Sequence, residues 1–283
     1  MLNRPVSKIL ILLFLVQMLT PLVGLFIFTI QGGGGNLSFA NYSTLFQDSQ
    51  FIGSLLSSLT LSLIAVGLSI VLWTLPIWHA YLFAPRLLTV IRAISYAPFV
   101  VPAVVLALAY VQFFNSGFLN LVGTPYLLPF AFALLGMPYY VEAVINRLRH
   151  VDARNLLDAS RTLGANDFYS FLHVQIPLLR AGIINGSVLV FTISMGEFTI
   201  TQLTTGGSLT TLPIYMMIVF TNNPLEGSAM AVIALIIATL GIVLGLITAS
   251  GRKRRFRSLF IRKRTLKGDG AHAVYSQSQE TIS

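Results

Sequence analysis

Few residues in this chain are able to do chemistry, and two carboxylates stand apart because of where they lie. Glu142 and Glu197 are the only acidic residues inside or at the edge of the long apolar stretches. An ionisable group in such a place attracts a cation, relays a proton or marks a polar pathway. Glu142 is close in sequence to Arg147 and Arg149, so pairing with them, or snorkelling to a membrane interface, accounts for it without a functional role. Glu197 belongs to a pattern. At about 100° per residue, Ser187, Ser194, Glu197, Thr201, Thr204 and Thr205 share one sector of a helix, and Val188, Leu189, Val190 and Ile193 occupy much of the remainder. A polar stripe of this kind turns towards protein or water rather than lipid. Ser194, Glu197 and Thr201 are therefore candidates for lining a translocation pathway. Hydrogen bonding between helices is the alternative, and periodicity does not separate the two.

Other chemistries find no support. The chain has no cysteine, and its four histidines, His79, His150, His173 and His272, are scattered without ligand spacing, so no metal site is expected. No nucleophile–base pair suggests an intramembrane enzyme. Gly32–Gly35 form a glycine run, but it lacks the following Lys and Ser/Thr of a phosphate loop and reads as a connector.

The elements that must position these residues are membrane helices. Of 283 residues, 55% are hydrophobic and only 10% are charged, against about 25% charged in soluble domains. Six stretches approach the ~20 residues needed to cross a bilayer: Ile9–Ile30, Ile52–Trp78, Ile94–Phe114, Leu127–Ile145, Ala181–Leu203 and Ala229–Ser250. The first is too long for a signal-peptide core and is expected to remain as an anchor. Prolines in or beside these stretches (Pro76, Pro98, Pro102, Pro129, Pro138) can kink them, as hinges or as static bends. The predicted fold is an all-α, polytopic bundle of six transmembrane helices.

Charge placement orients the bundle. Nine of the 18 basic residues lie between Arg252 and Lys267, and the other nine fall before span 1, between spans 2 and 3, and between spans 4 and 5. The loops after spans 1, 3 and 5 carry no Lys or Arg. Both termini are thus expected in the cytoplasm. The net charge of +9 is a juxtamembrane signature that favours anionic lipid rather than nucleic acid.

One inner loop, from Arg147 to Arg180, departs from its surroundings. Leu156, Ala159 and Leu163 fall on one face of a short helix, and Gly164 suits a left-handed stop after it. Asn166 or Asp167 can cap a second short helix with Phe168, Phe171 and Leu172 on its apolar side, and Pro177 is expected to close that helix and open span 5. Periodicity leaves a docking element and a bare interfacial hairpin equally open.

A resemblance separates them. Asp158-Ala159-Ser160, Gly164 four residues after Ser160, and Val174-x-Ile176-Pro177 starting ten residues after Gly164 resemble the "EAA" motif (E-A-A-x3-G-x9-I-x-L-P) of ABC importer permeases. Asp158, Ser160, Val174 and Ile176 are conservative departures from that pattern. Roughly Phe51 to Ser250 is similar to the core domain of the type I importer permeases. The stretch Phe191–Gly206 with Thr211-Leu212-Pro213 is most similar to the permeases for polyamines, ferric iron, thiamine and aminophosphonates.

The resemblance implies three parts: residues 1–50 as an anchor span and outer loop, 51–250 as the core permease domain with its coupling loop at 147–180, and 251–283 as a basic cytoplasmic tail. It implies that Asp158, Ala159, Ser160, Leu163, Gly164, Ala165 and Pro177 belong to a coupling element that docks on a cytoplasmic ATPase dimer. ATP and Mg would be bound by that partner, since no cofactor is expected on this chain. A second permease, identical or homologous, and an extracytoplasmic solute-binding protein complete the implied inner-membrane complex. A secondary transporter or channel is the competing class; the absence of an internal repeat and the scarcity of intramembrane charge count against it.

Overall fold

The computed structural model describes residues 4–31, 37–115 and 120–250. The glycine run Gly32–Gly35 and the basic tail Arg252–Lys267 lie outside the described residues. Regular structure among the described residues is helical, apart from one bridge between Gln31 and Leu37. In chain order the helices are α1 (Arg4–Thr29), α2 (Ala40–Gln47), α3 (Ser49–Phe83), α4 (Pro85–Ser95), α5 (Ala97–Val100), α6 (Ala103–Phe114), α7 (Leu127–His150), α8 (Ala153–Thr162), α9 (Asp167–Ser170), α10 (Ile176–Met195), α11 (Thr199–Thr205), α12 (Leu212–Asn222) and α13 (Pro224–Ser250).

Five helical runs are long and apolar enough to cross a membrane: Val6–Thr29, Ser49–Phe83, Leu127–His150, Asp167–Met195 and Pro224–Gly245. The stretch expected as span 3 is not one helix. It breaks at Val101, where the run Pro85–Val100 turns by 104° into Ala103–Phe114, and only if this bent pair counts as one crossing does the number reach six. The cause is local. Pro102 pushes its predecessor out of the helical region, and Val101 is extended at φ −93°, ψ 125°.

The core forms around α7, which packs along α10 and α3. Leu128, Phe132, Tyr140, Val141, Val144, Ile145 and Leu148 of α7 are essentially inaccessible. Close approach needs small residues. A Cβ added at Gly182 of α10 would stand 2.6 Å from Arg147 Cβ, and one at Gly186 would stand 2.8 Å from Tyr140 Cδ2. Gly241 and Gly245 of α13 face Phe191 and Val188 of α10 in the same way. Both small-x3-small pairs therefore pack within the chain. The Thr74 and Tyr140 hydroxyls, 2.7 Å apart, tie α3 to α7 where no water is available to take their place.

α1 differs from the rest. Its side chains are exposed almost throughout, and it leans on the bundle through α13. An apolar helix without a polar face is one that lipid covers.

Candidate functional site

The inner loop folds as a short helix clamped from behind. Ala153, Leu157 and Ser160 of α8, at i, i+4 and i+7, are buried. Ser160 Oγ lies 2.7 Å from Ser170 Oγ, and Gln175 Nε2 donates to the Ala153 carbonyl at 2.9 Å. Arg154 Nη2 donates to the Leu82 carbonyl at 2.6 Å, which fixes the loop to the end of α3. The Phe171 ring packs against Trp78 of α3, tilted by 47° with centroids 4.8 Å apart. A shallow cleft of about 170 Å³ remains between the two elements, lined by Leu82, Phe83, Arg154, Leu157, Asp158 and Arg161.

The opposite face of α8 is bare. Asp158 and Ala159 are exposed, and Leu163 is 88% exposed. The face marked by Leu156, Ala159 and Leu163 is thus chiefly the outward one, although Leu156 itself is half-buried. The stop after Leu163 is a Schellman arrangement. Gly164, at φ +85°, donates to the Arg161 carbonyl at 2.9 Å, and Ala165 donates to that of Ser160 at 3.1 Å. Asn166, rather than Asp167, caps α9, its Oδ1 accepting from Tyr169 N–H at 2.7 Å. Asp167 instead takes both arms of Arg161, at 2.7 and 2.8 Å. These hydrogen bonds from the guanidinium hold the Asp167 carboxyl below the ordinary carboxylate range.

Two expectations about the second short helix are corrected. Phe168, Phe171 and Leu172 do not share a buried face: Phe171 is buried under Trp78, whereas Phe168 and Leu172 are exposed. Nor does Pro177 close the helix. The backbone runs from α9 into α10 through a π-helical turn, Phe171–Gln175, in which Ile176 N–H bonds the Phe171 carbonyl. Pro177 has no N–H to offer the preceding turn. A widened turn accommodates that missing donor without a break.

The stretch expected as span 5 also departs from one helix. α10 ends at Met195, and Gly196–Phe198 separate it from α11. The polar stripe is consequently divided between two helices. Glu197 lies in the break, buried, and its carboxylate accepts from Ile200 N–H at 2.8 Å, Thr201 N–H at 3.0 Å and the Thr201 hydroxyl at 3.0 Å. It therefore satisfies the first free donors of α11 and opposes the positive end of its dipole. Ser194 is buried and bonds back to the Val190 carbonyl, and Thr204 and Thr205 bond back to those of Ile200 and Thr201. α11 packs on α6, and Gly123 N–H donates to the Thr204 carbonyl at 2.9 Å. Glu197 and Thr201 thus come together as the splint of a broken helix, while Ser194 keeps its hydroxyl bond within α10.

Glu142 is paired, but not with Arg147 or Arg149. Its partner is Arg92 of α4, at 2.7 Å, while Arg147 Nε donates to the Leu178 carbonyl. A contact across 50 residues of sequence leaves no mark in local periodicity. Among the described residues no group of three or more His, Cys, Asp or Glu could hold a metal ion.

Comparison with known proteins follows this architecture. The family model for the binding-protein-dependent transport system inner membrane component matches residues 73–257. The spermidine/putrescine transport system permease protein PotC of Escherichia coli (strain K12) is 25% identical over 209 residues, covering 71% of this chain and 76% of its own. The putrescine transport system permease protein PotI of the same strain is 33% identical over 127 residues, covering 42% and 43%. The molybdenum transport system permease protein ModB of Haemophilus influenzae is 32% identical over 180 residues, covering 57% and 78%. In fold, the chain is similar to a bacterial ABC transporter involved in the import of alginate, with a TM-score of 0.56, 16% identity and coverage of 86% of this chain and 94% of the other. The chain belongs to the family of inner-membrane permease components of binding-protein-dependent ABC importers.

Proposed function

We propose that this chain forms one half of the translocation pathway of an ATP-driven importer and that α8 is its coupling helix. The observation that carries this reading is the division of α8 into two faces. Ala153, Leu157 and Ser160 are spent on the chain itself, while Asp158, Ala159 and Leu163 are left bare beside the Gly164–Ala165 turn. A helix held rigid from behind, with Ala159 in front and Gly164 at its stop leaving room for close approach, suits entry into a groove of a cytoplasmic ATPase subunit. Pro177 sits behind this element, in the run that continues into α10. ATP and Mg belong to the ATPase dimer in this reading, and a second permease and an extracytoplasmic solute-binding protein complete the complex. Both termini lie in the cytoplasm. The substrate is a small charged solute of polyamine type, supported by the relatedness to PotC and PotI. Ser194, Glu197 and Thr201 serve the pathway by positioning the α10–α11 break.

The test is docking. Ala159→Trp places bulk on the bare face and Gly164→Trp places it at the turn. Each should leave membrane insertion intact, abolish co-purification of the ATPase and stop uptake. Normal co-purification and transport in both variants would sink the coupling-helix assignment.

A further inference from the structure

Where α4 meets the later half of α7, the chain holds an ion pair that is only half used. Arg92 Nε lies 2.7 Å from Glu142 Oε1, and Tyr96 Oη donates to that same oxygen at 3.2 Å. Both contacts fall on Oε1; among the described residues no hydrogen bond reaches Oε2. Arg92 approaches side-on through Nε, so its two terminal nitrogens do not form the bidentate fork of a fully committed pair. The side chains are 37% and 23% exposed.

Three aromatic rings continue this surface. Phe99 stands edge-on to Tyr139 with centroids 5.1 Å apart, and Tyr96 lies 6.4 Å from Phe99. All three rings are partly open, between 38% and 49% exposed.

Elsewhere the exposed apolar surface, with Phe14 and Phe26 on α1 and Leu235, Ile236, Leu240 and Val243 on α13, carries no ion pair among the described residues, the other pairs lying at Arg161 of α8. A half-open ion pair flanked by phenols does not suit hydrocarbon. It suits the wet seam between this chain and a second permease. An unused carboxylate oxygen beside aromatic faces is what an ammonium group seeks, through a charge-assisted hydrogen bond on one side and ring quadrupoles on the other.

We propose that Glu142, Tyr96, Phe99 and Tyr139 form a transit site for the ammonium groups of a cationic substrate, with Arg92 as the internal cation that occupies the carboxylate when the site is empty. This rests on the importer reading above and deepens it. Arg92 keeps the site from retaining its cargo: an arriving ammonium takes Oε2, displaces the guanidinium, and is displaced by it in turn as the cargo leaves.

The experiment is ATP-dependent uptake by the complete complex in liposomes, with spermidine and molybdate as probes, expressed per assembled complex. Removing the carboxylate in Glu142→Gln should lower spermidine uptake by about ten-fold, and Glu142→Asp, which keeps the charge, should recover part of it. Tyr139→Leu should lower it by about two- to five-fold. Arg92→Gln should act in the opposite sense on affinity, lowering the half-saturating spermidine concentration, because the internal competitor is gone. A purely structural pair predicts equal losses whichever partner is removed, and that result would overturn the proposal. So would wild-type uptake in Glu142→Gln. Uptake of molybdate but not spermidine, with Arg92→Gln as the damaging variant, would overturn the cation site and leave the importer reading standing. A wild-type complex that recruits no ATPase and moves neither probe would remove both.

Discussion

Replacing Glu197 should weaken the protein before it touches transport, and the size of the effect follows from three hydrogen bonds. In Glu197→Ala the buried N–H groups of Ile200 and Thr201 lose their acceptor, while the Thr201 hydroxyl retains a longer contact to the residue 197 carbonyl. Each stranded buried donor costs about 1–3 kcal/mol, so with two of them the alanine variant should lose about 2–6 kcal/mol. Glu197→Gln keeps one carbonyl oxygen but turns an amide N–H against the second donor, for a loss of about 1–3 kcal/mol. For a chain of this size, about 2–4 °C of melting temperature per kcal/mol translates these into drops of roughly 4–24 °C and 2–12 °C. The assay is thermal unfolding of the purified complex beside uptake per assembled complex. The expected result is a lower melting temperature in the order wild type, Gln, Ala, with uptake per surviving complex near wild type. An unchanged melting temperature with slowed uptake would refute the splint and return the carboxylate to the pathway.

Reporters fused after Gly207 and at Asp167 should lie on opposite sides of the membrane, outside and inside respectively, and a reversal of either would break the topology. Gly186→Leu should disrupt α10 against α7, since even a Cβ there stands 2.8 Å from Tyr140, and should cost at least about 1–3 kcal/mol by overpacking; a wild-type melting temperature would contradict the close approach. The Arg161–Asp167 tie should respond to acid in one direction. The Asp167 carboxyl titrates below its ordinary value when folded, so its contribution is complete above the ordinary carboxylate range and disappears as pH falls through the depressed value. Hydrogen exchange across α8 and α9 should therefore be flat from neutral pH down to that range once corrected for intrinsic rates, and Arg161→Ala should abolish any protection lost below it.

The sequence made the helical class and the loop between the fourth and fifth stretches visible because each depends on local signals. Apolar length, the placement of Arg and Lys, and the spacing from Asp158 to Pro177 need no knowledge of what lies elsewhere in the chain. The helix stop at Gly164 was readable for the same reason, since a left-handed backbone position favours a residue without Cβ. What stayed hidden was of two kinds. Breaks inside apolar stretches were invisible to hydropathy: Val101 before Pro102 divides one, and Gly196–Phe198 divides another that contains no proline. Partners distant in sequence were invisible to periodicity: Arg92 with Glu142, Arg154 with the Leu82 carbonyl, and Gln175 with that of Ala153. The Glu197 stripe crosses one of these breaks, so a helical wheel drawn through it aligns residues of two axes, although Ser194, Glu197, Thr201, Thr204 and Thr205 are buried as a stripe turned from lipid requires.

The π-helical turn makes the inner loop and the membrane interior one mechanical piece. With no interruption at Pro177, the run from Asp167 to Met195 is a continuous 29-residue rod, about 43 Å long at 1.5 Å per residue. Its N-terminal end is latched to α8 through Ser170 and Gln175, and its far end stops at the Gly196 break. A push delivered to α8 is therefore not dissipated in a hinge at the membrane surface. With α8 as the coupling helix proposed above, the push would arrive at Gly196 as a swing of the whole lever about its packing on α7.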